Sequence, residues 1–146
     1  MALVLDASAA LAWLIRRDTA AEDRLANEVL RSIEASEGLV PALWYPEVAN
    51  GVLVAERRGG IDTSTSASFL GFVETLPIAE DTTRPSSILT TVLTMARTYK
   101  LTSYDATYLE LVLRTGRALA TFDRKLAEAA RSAGVQVFGD PAKGFD

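Results

Sequence analysis

The chain predicts an α/β fold built on a mainly parallel sheet, and three observations carry that prediction. Short apolar runs alternate with longer amphipathic segments, the pattern of strands joined by crossover helices. The first run, Leu3-Val4-Leu5, has no polar face, as expected of a strand covered by helices on both sides. A carboxylate, Asp6, closes that run. Ligands of open α/β sheets gather beyond the carboxyl ends of strands, so Asp6 stands where chemistry is expected.

Each element has a local reason. After the first strand, Ser8 to Arg16 reads as a helix with Ser8 as its cap. Arg17-Asp18-Thr19 is a break, and Thr19 caps a second helix from Ala20 to about Ser36, with Leu25, Val29, Leu30 and Ile33 on one face. Leu39-Val40 forms the second strand and runs into Pro41. Ala42 to Tyr45 is a turn, and Pro46 takes the first position of a helix continuing to Arg58, stopped by Gly59-Gly60. Asp62 or Thr63 caps the next helix, which contains Phe69, Leu70, Phe72 and Val73. Leu76 to Ala79 is a third strand, placed at an edge by Pro77.

A helix from about Pro85 to Tyr99 follows, with Ile88, Leu89, Val92, Leu93 and Met95 as its apolar residues. Leu101 to Ser103 is a connector, and Tyr104 to Arg114 is helical up to Gly116. Ala118 to Thr121 is the fourth strand. Asp123 opens a helix to Ser132, and Val135 to Phe138 is the fifth strand. A length of 146 residues fits one domain, with Gly139 to Asp146 as an exposed tail.

Composition narrows the chemistry. The chain has no cysteine and no histidine. That excludes disulfides, thiolate nucleophiles, the Ser-His-Asp triad and nearly all zinc chemistry. A metal here must be bound by oxygen, which favours Mg²⁺ or Mn²⁺. The formal charge of −4 argues against a surface that attracts nucleic acid everywhere, while leaving room for a local basic patch. No basic leader precedes Asp6, and no apolar run approaches the ~20 residues that span a bilayer. A cytoplasmic location is expected.

Four acids stand out: Asp6, Glu47, Asp105 and Asp123. Singly, each has a plain explanation. Asp6 ends a strand, and the others fall at the start of predicted helices, where a carboxylate complements the dipole. Together they say more. Strand ends in a parallel sheet are helix beginnings, so Asp6 and Asp123 share an edge that Glu47 can reach. Periodicity alone does not place Asp105.

Val4-Leu5-Asp6-Ala7-Ser8-Ala9, Pro46-Glu47-Val48-Ala49-Asn50, Tyr104-Asp105-Ala106-Thr107-Tyr108-Leu109 and Thr121-Phe122-Asp123-Arg124-Lys125-Leu126 occur in that order. The series resembles the PIN-domain ribonucleases, especially VapC-type toxins of toxin–antitoxin pairs, over essentially the whole chain. Tyr104 to Val135 is its most specific part. The resemblance implies a five-stranded sheet in the order 3-2-1-4-5, flanked by helices. It implies that Asp6, Glu47, Asp105 and Asp123 form one acidic pocket, supported by Thr121 and Ser8. It further implies Mg²⁺- or Mn²⁺-dependent cleavage of RNA, a homodimer, and neutralisation by a small antitoxin.

Clustered carboxylates repel one another, so without metal one or more should have a raised pKa. A divalent ion would offset the repulsion and supply an activated water. Asp6, Glu47 and Asp105 are the expected ligands, with Asp123 serving a second ion or supporting the first. Arg124 and Lys125, beside Asp123, are candidates for RNA contact, whereas Arg57-Arg58 and Arg16-Arg17 read as solvated helix ends. Trp44 and Tyr45 are placed either to line the pocket or to pack. Trp13 belongs to the core or to a partner surface. Phe69, Leu70, Phe72 and Val73 mark either a partner surface or a doubly buried helix.

Two other classes compete. A receiver-like Mg²⁺-binding signalling domain would place an acidic pair after the first strand, but Ala7 follows Asp6. A catalytically silent PIN-like module that only binds RNA or protein is disfavoured by the complete quartet.

Overall fold

In the computed structural model, which describes residues 2–141, four short parallel strands form one sheet in the order β3-β2-β1-β4. Strand β1 (Leu3–Leu5) lies between β2 (Gly38–Val40) and β4 (Ala118–Ala120), and β3 (Ile78–Glu80) is the outer neighbour of β2. Leu3, Val4 and Leu5 are fully buried, so the apolar run does form a central strand covered on both faces. The helices are α1 (Ala7–Leu11), α2 (Ala20–Ala35), α3 (Trp44–Arg57), α4 (Thr63–Glu74), α5 (Pro85–Tyr99), α6 (Ser103–Thr115) and α7 (Arg124–Ser132).

The expected fifth strand is reduced to a single bridge, Leu119 to Val137. The Leu119 amide donates to Gln136 O at 2.9 Å and the Phe138 amide to Leu119 O at 2.8 Å. Gly139 then turns the chain with φ +95°, closed against the Leu25 side chain, so the ladder stops after one pair. Part of the predicted exposed tail is held. Asp140 pairs with Arg131 at 2.7 Å, while the rest of that segment, 142–146, lies outside the described residues.

Helix α1 is shorter than predicted and is not capped by Ser8. Asp6 takes the N-cap position without a side-chain cap bond, because its carboxyl is turned elsewhere. The helix ends at Leu11 in tighter turns (Trp13 N to Ala10 O, 3.0 Å), and the Trp13 indole donates to Ala26 O at 3.0 Å. That bond draws the chain onto α2, whose N-cap is Thr19 as expected. Gly51 removes the Cβ that would otherwise collide with Leu11, so α1 lies close against α3.

Helix α3 begins two residues before Pro46. The turn through Pro41, Ala42 and Leu43 already accepts the Trp44 and Tyr45 amides, at 3.0 and 3.3 Å. Pro46 falls in the first turn, where an amide has no intrahelical partner to lose. The third strand starts at Ile78 rather than Leu76, because Pro77 ends the preceding turn and its carbonyl accepts the Gly38 amide at 3.0 Å. Helix α6 starts at Ser103, capped by Thr102, and ends at Gly116 with φ +70°, which lets the chain reverse into β4.

Among the described residues, no helix is long and apolar enough to cross a membrane.

Candidate active site

All four singled-out acids stand at the start of a helix. Asp6 follows β1, and its amide donates to Ala120 O at 2.9 Å, continuing the β1–β4 ladder by one residue. Asp6 is only 5% exposed. Oδ2 accepts from Ser8 Oγ at 2.6 Å and from Thr121 Oγ1 at 2.7 Å. Ser8 Oγ in turn accepts the Phe122 amide, and Thr121 Oγ1 accepts the Asp123 amide, both at 2.9 Å. Two hydroxyls therefore lock the β1–α1 corner to the β4–α7 corner through a single carboxylate oxygen.

Glu47 lies in the first turn of α3, where its Oε1 accepts a 2.6 Å hydrogen bond from the Tyr108 hydroxyl of α6. Asp105 lies in the first turn of α6, its amide donating to the Thr102 cap hydroxyl at 3.1 Å. Asp123 caps α7, accepting the Leu126 amide on Oδ1 at 3.0 Å.

The acids share one electrostatic neighbourhood. Burial pushes the Asp6 carboxyl up, with the Asp123 charge adding to it and the Ser8 and Thr121 hydroxyls opposing. Glu47 is raised by burial and by the charges of Asp6 and Asp105, against the Tyr108 bond. Asp105 is raised to about 6, first by burial and then by the charges of Asp123 and Asp6. The expected mutual repulsion is thus expressed at three positions, and Asp105, which periodicity could not place, sits within reach of the other charges.

Among the described residues, no three acids are drawn together tightly enough to form a finished metal cage. In kind, the residues nevertheless fit a hard divalent cation: the donors are all oxygen, they repel one another, and each of Asp6, Glu47 and Asp123 has one oxygen fixed by a donor.

Around the acids, Arg124 and Lys125 are exposed on the first turn of α7, and the Lys125 charge reaches Asp105. Arg57 and Arg58 are solvated at the end of α3. Trp44 does not line the site. It is 1% exposed in the core, edge-on to Tyr45 with ring centroids 5.0 Å apart.

Three neighbours escaped the sequence. Tyr108 follows Asp105 by one helical turn, a spacing that places both on one face of α6. Arg17, paired with Glu22 at 3.6 Å, holds its guanidinium 4.4 Å from the centre of the ring of Phe122, the residue that precedes Asp123. No local sequence signal links those last two, because they meet only through the fold. A separate apolar cavity of about 380 Å³, bounded by Leu43, Pro46, Ile88, Leu89, Val92 and Leu111, contains none of the four acids.

The PIN domain family model matches residues 3–132. The chain belongs to the PIN domain family. Solved structures agree with this assignment. PAE2754 from Pyrobaculum aerophilum is 25% identical over 88% of this chain and 87% of its own, with a TM-score of 0.66. FitAcB from Neisseria gonorrhoeae superposes with a TM-score of 0.62 over 95% of this chain and 97% of its own. Its 17% identity makes that a likeness of fold. A comparison with curated protein sequences finds no significant match. Membership in the PIN family sets aside the receiver-like alternative, whose fold family is different.

Proposed function

We propose that this PIN domain is a Mg²⁺- or Mn²⁺-dependent endoribonuclease that acts as the toxin of a toxin–antitoxin pair. One observation carries the reading: Asp6, Glu47, Asp105 and Asp123, from four separate segments, interact through their charges at one edge of the sheet. Burial and mutual repulsion raise the carboxyls of Asp6, Glu47 and Asp105. Such a cluster is costly to keep unless it binds something positive.

Asp6, Glu47 and Asp105 would hold the cation, with Asp123 as a further ligand or support. When bound, the ion supplies an activated water and a Lewis-acid contact for a phosphodiester. The chain's own residues prepare the rest. Ser8 and Thr121 stabilise Asp6 as a carboxylate by donating to it, which opposes the effect of burial. Arg124 and Lys125 are exposed on the first turn of α7 next to Asp123, and the Lys125 charge reaches Asp105, so an RNA backbone can be received there beside an otherwise repelling cluster. Hydrolysis by activated water would leave a 5′-phosphate and a 3′-hydroxyl.

The partners follow the same reading: RNA as substrate, a small antitoxin protein, and a second copy of this chain. Leu89 and Leu93 on α5, and Leu70 and Phe72 on α4, are between 40% and 68% exposed, which supports contact with proteins.

The deciding experiment is cleavage of a mixed pool of structured RNAs by the purified chain with Mn²⁺, with EDTA, and with the Asp6→Asn variant. Cutting that needs both metal and Asp6, and leaves 5′-phosphate ends, is the expected result. A cyclic phosphate on the products would defeat the hydrolytic mechanism. Absence of both cutting and Mn²⁺ binding would leave a PIN domain that only binds.

A further inference from the structure

We propose that Tyr108 is a positioning residue that fixes the Glu47 carboxylate and thereby sets the affinity of the acidic cluster for a divalent cation. This rests on the metal-dependent reading above and adds a residue to it.

The geometry is specific. Tyr108 has no exposed surface, yet it carries a polar hydroxyl into the interior. A buried phenol needs a partner. Its partner is Glu47 Oε1 at 2.6 Å, across 61 residues of sequence and between α6 and α3. The four acids are not held alike. Asp6 is fixed by two hydroxyls and Asp123 by an amide of the helix it caps. Glu47 has a longer side chain with more torsions than an aspartate, and Tyr108 is the hydrogen-bond donor that restrains it.

Fixing one oxygen of a carboxylate orients the other and removes the entropy that an ion would otherwise have to overcome. Donors that hold a metal ligand in this way are typically worth about 10- to 100-fold in affinity. Tyr108 also lies one turn from Asp105 on α6. The same helix thus presents one ligand directly and aims another through Tyr108, coupling α6 and α3 at the site.

The test is a Mn²⁺ titration of the whole chain in four forms: unsubstituted, Tyr108→Phe, Glu47→Gln and the double variant. Electron paramagnetic resonance of free Mn²⁺ follows weak binding as well as tight. Thermal unfolding confirms that the nearly isosteric Tyr108→Phe chain is folded. Tyr108→Phe is expected to weaken Mn²⁺ about tenfold. In the Glu47→Gln background it should change affinity by less than about twofold, because the group it acts through is gone. RNA cleavage by Tyr108→Phe should recover as Mn²⁺ is raised.

Equal weakening in both backgrounds would show a general structural role and overturn the proposal. So would unchanged Mn²⁺ affinity in Tyr108→Phe while the unsubstituted chain binds, and that result leaves the metal-dependent reading standing. A chain that takes no Mn²⁺ in any form would remove the metal reading and this inference together.

Discussion

Asp105 shows what a single side chain contributes to this site and what it costs the fold. Its carboxyl titrates at about 6 instead of its ordinary 3.8. The native state therefore holds that proton more tightly than the unfolded chain does, and metal-free stability falls as pH rises through the window from about 4 to about 6. Below that window the contribution is fully present. Above it, the ionised carboxylate opposes folding. Acidifying the metal-free protein from about pH 7 to about pH 5 is expected to raise its Tm, and Asp105→Asn should flatten this part of the profile. The same substitution should abolish RNA cleavage while leaving metal-free stability equal or higher, since it removes a repelling charge. A clear drop in metal-free Tm would show that Asp105 is held by favourable contacts instead. The residue scale is also where the sequence says most about chemistry. Asp6 and Asp123 could be placed by topology, because strand ends and helix starts coincide in a parallel sheet. Asp105 could not, because no strand lies between α5 and α6, which are joined by Lys100 to Thr102, and only the packing of α6 brings it to the edge.

Each acid depends on the helix that carries it, so element stability and site geometry are linked. Thr102 caps α6 by accepting the Asp105 amide. Thr102→Ala should cost about 1 kcal/mol in unfolding free energy, and because the lost bond is at Asp105 itself, it should also weaken Mn²⁺ binding. A second tie anchors the far end of α6. Arg114 donates to the buried Glu110 at 2.7 Å and to Asp81, just past β3, also at 2.7 Å. Arg114→Met would strand Glu110, which is 5% exposed, and should destabilise by about 1–3 kcal/mol in urea unfolding. Adding Glu110→Leu should recover most of the loss, because the uncompensated buried charge is removed with its partner. Periodicity and capping signals located most elements here, including α5 from Pro85 to Tyr99. They failed where distant partners decide: Ser8 serves Asp6 and Phe122 instead of capping α1, and Val135 to Phe138 closes one bridge instead of a strand. Phe69, Leu70, Phe72 and Val73 admit two readings from sequence, a partner surface or a doubly buried helix, and the structure excludes the doubly buried one. Phe69 is buried, whereas Leu70 and Phe72 are about 40% exposed.

At the scale of the whole molecule, the acidic edge is where segments distant in sequence meet. Residues 6, 47, 105 and 123 belong to the β1–α1 corner, α3, α6 and the β4–α7 corner. A cation bound by three or four of them would join these segments in the native state and have little affinity for the unfolded chain. Mass action then sets the size of the effect: at a free Mn²⁺ concentration a hundred times the dissociation constant, stability should rise by about 2.7 kcal/mol. The gain should disappear with EDTA and should shrink in Asp6→Asn. It should also shrink as pH falls through about 6, because protons at Asp105 compete with the ion. This pH dependence is opposite in sign to that of the metal-free protein, which gains stability on acidification. Differential scanning calorimetry across that range, with and without Mn²⁺, should therefore give two profiles that converge at low pH and separate above about 6. Parallel profiles would mean that the ion binds away from Asp105, and the acidic edge would then be a source of strain without being the metal site.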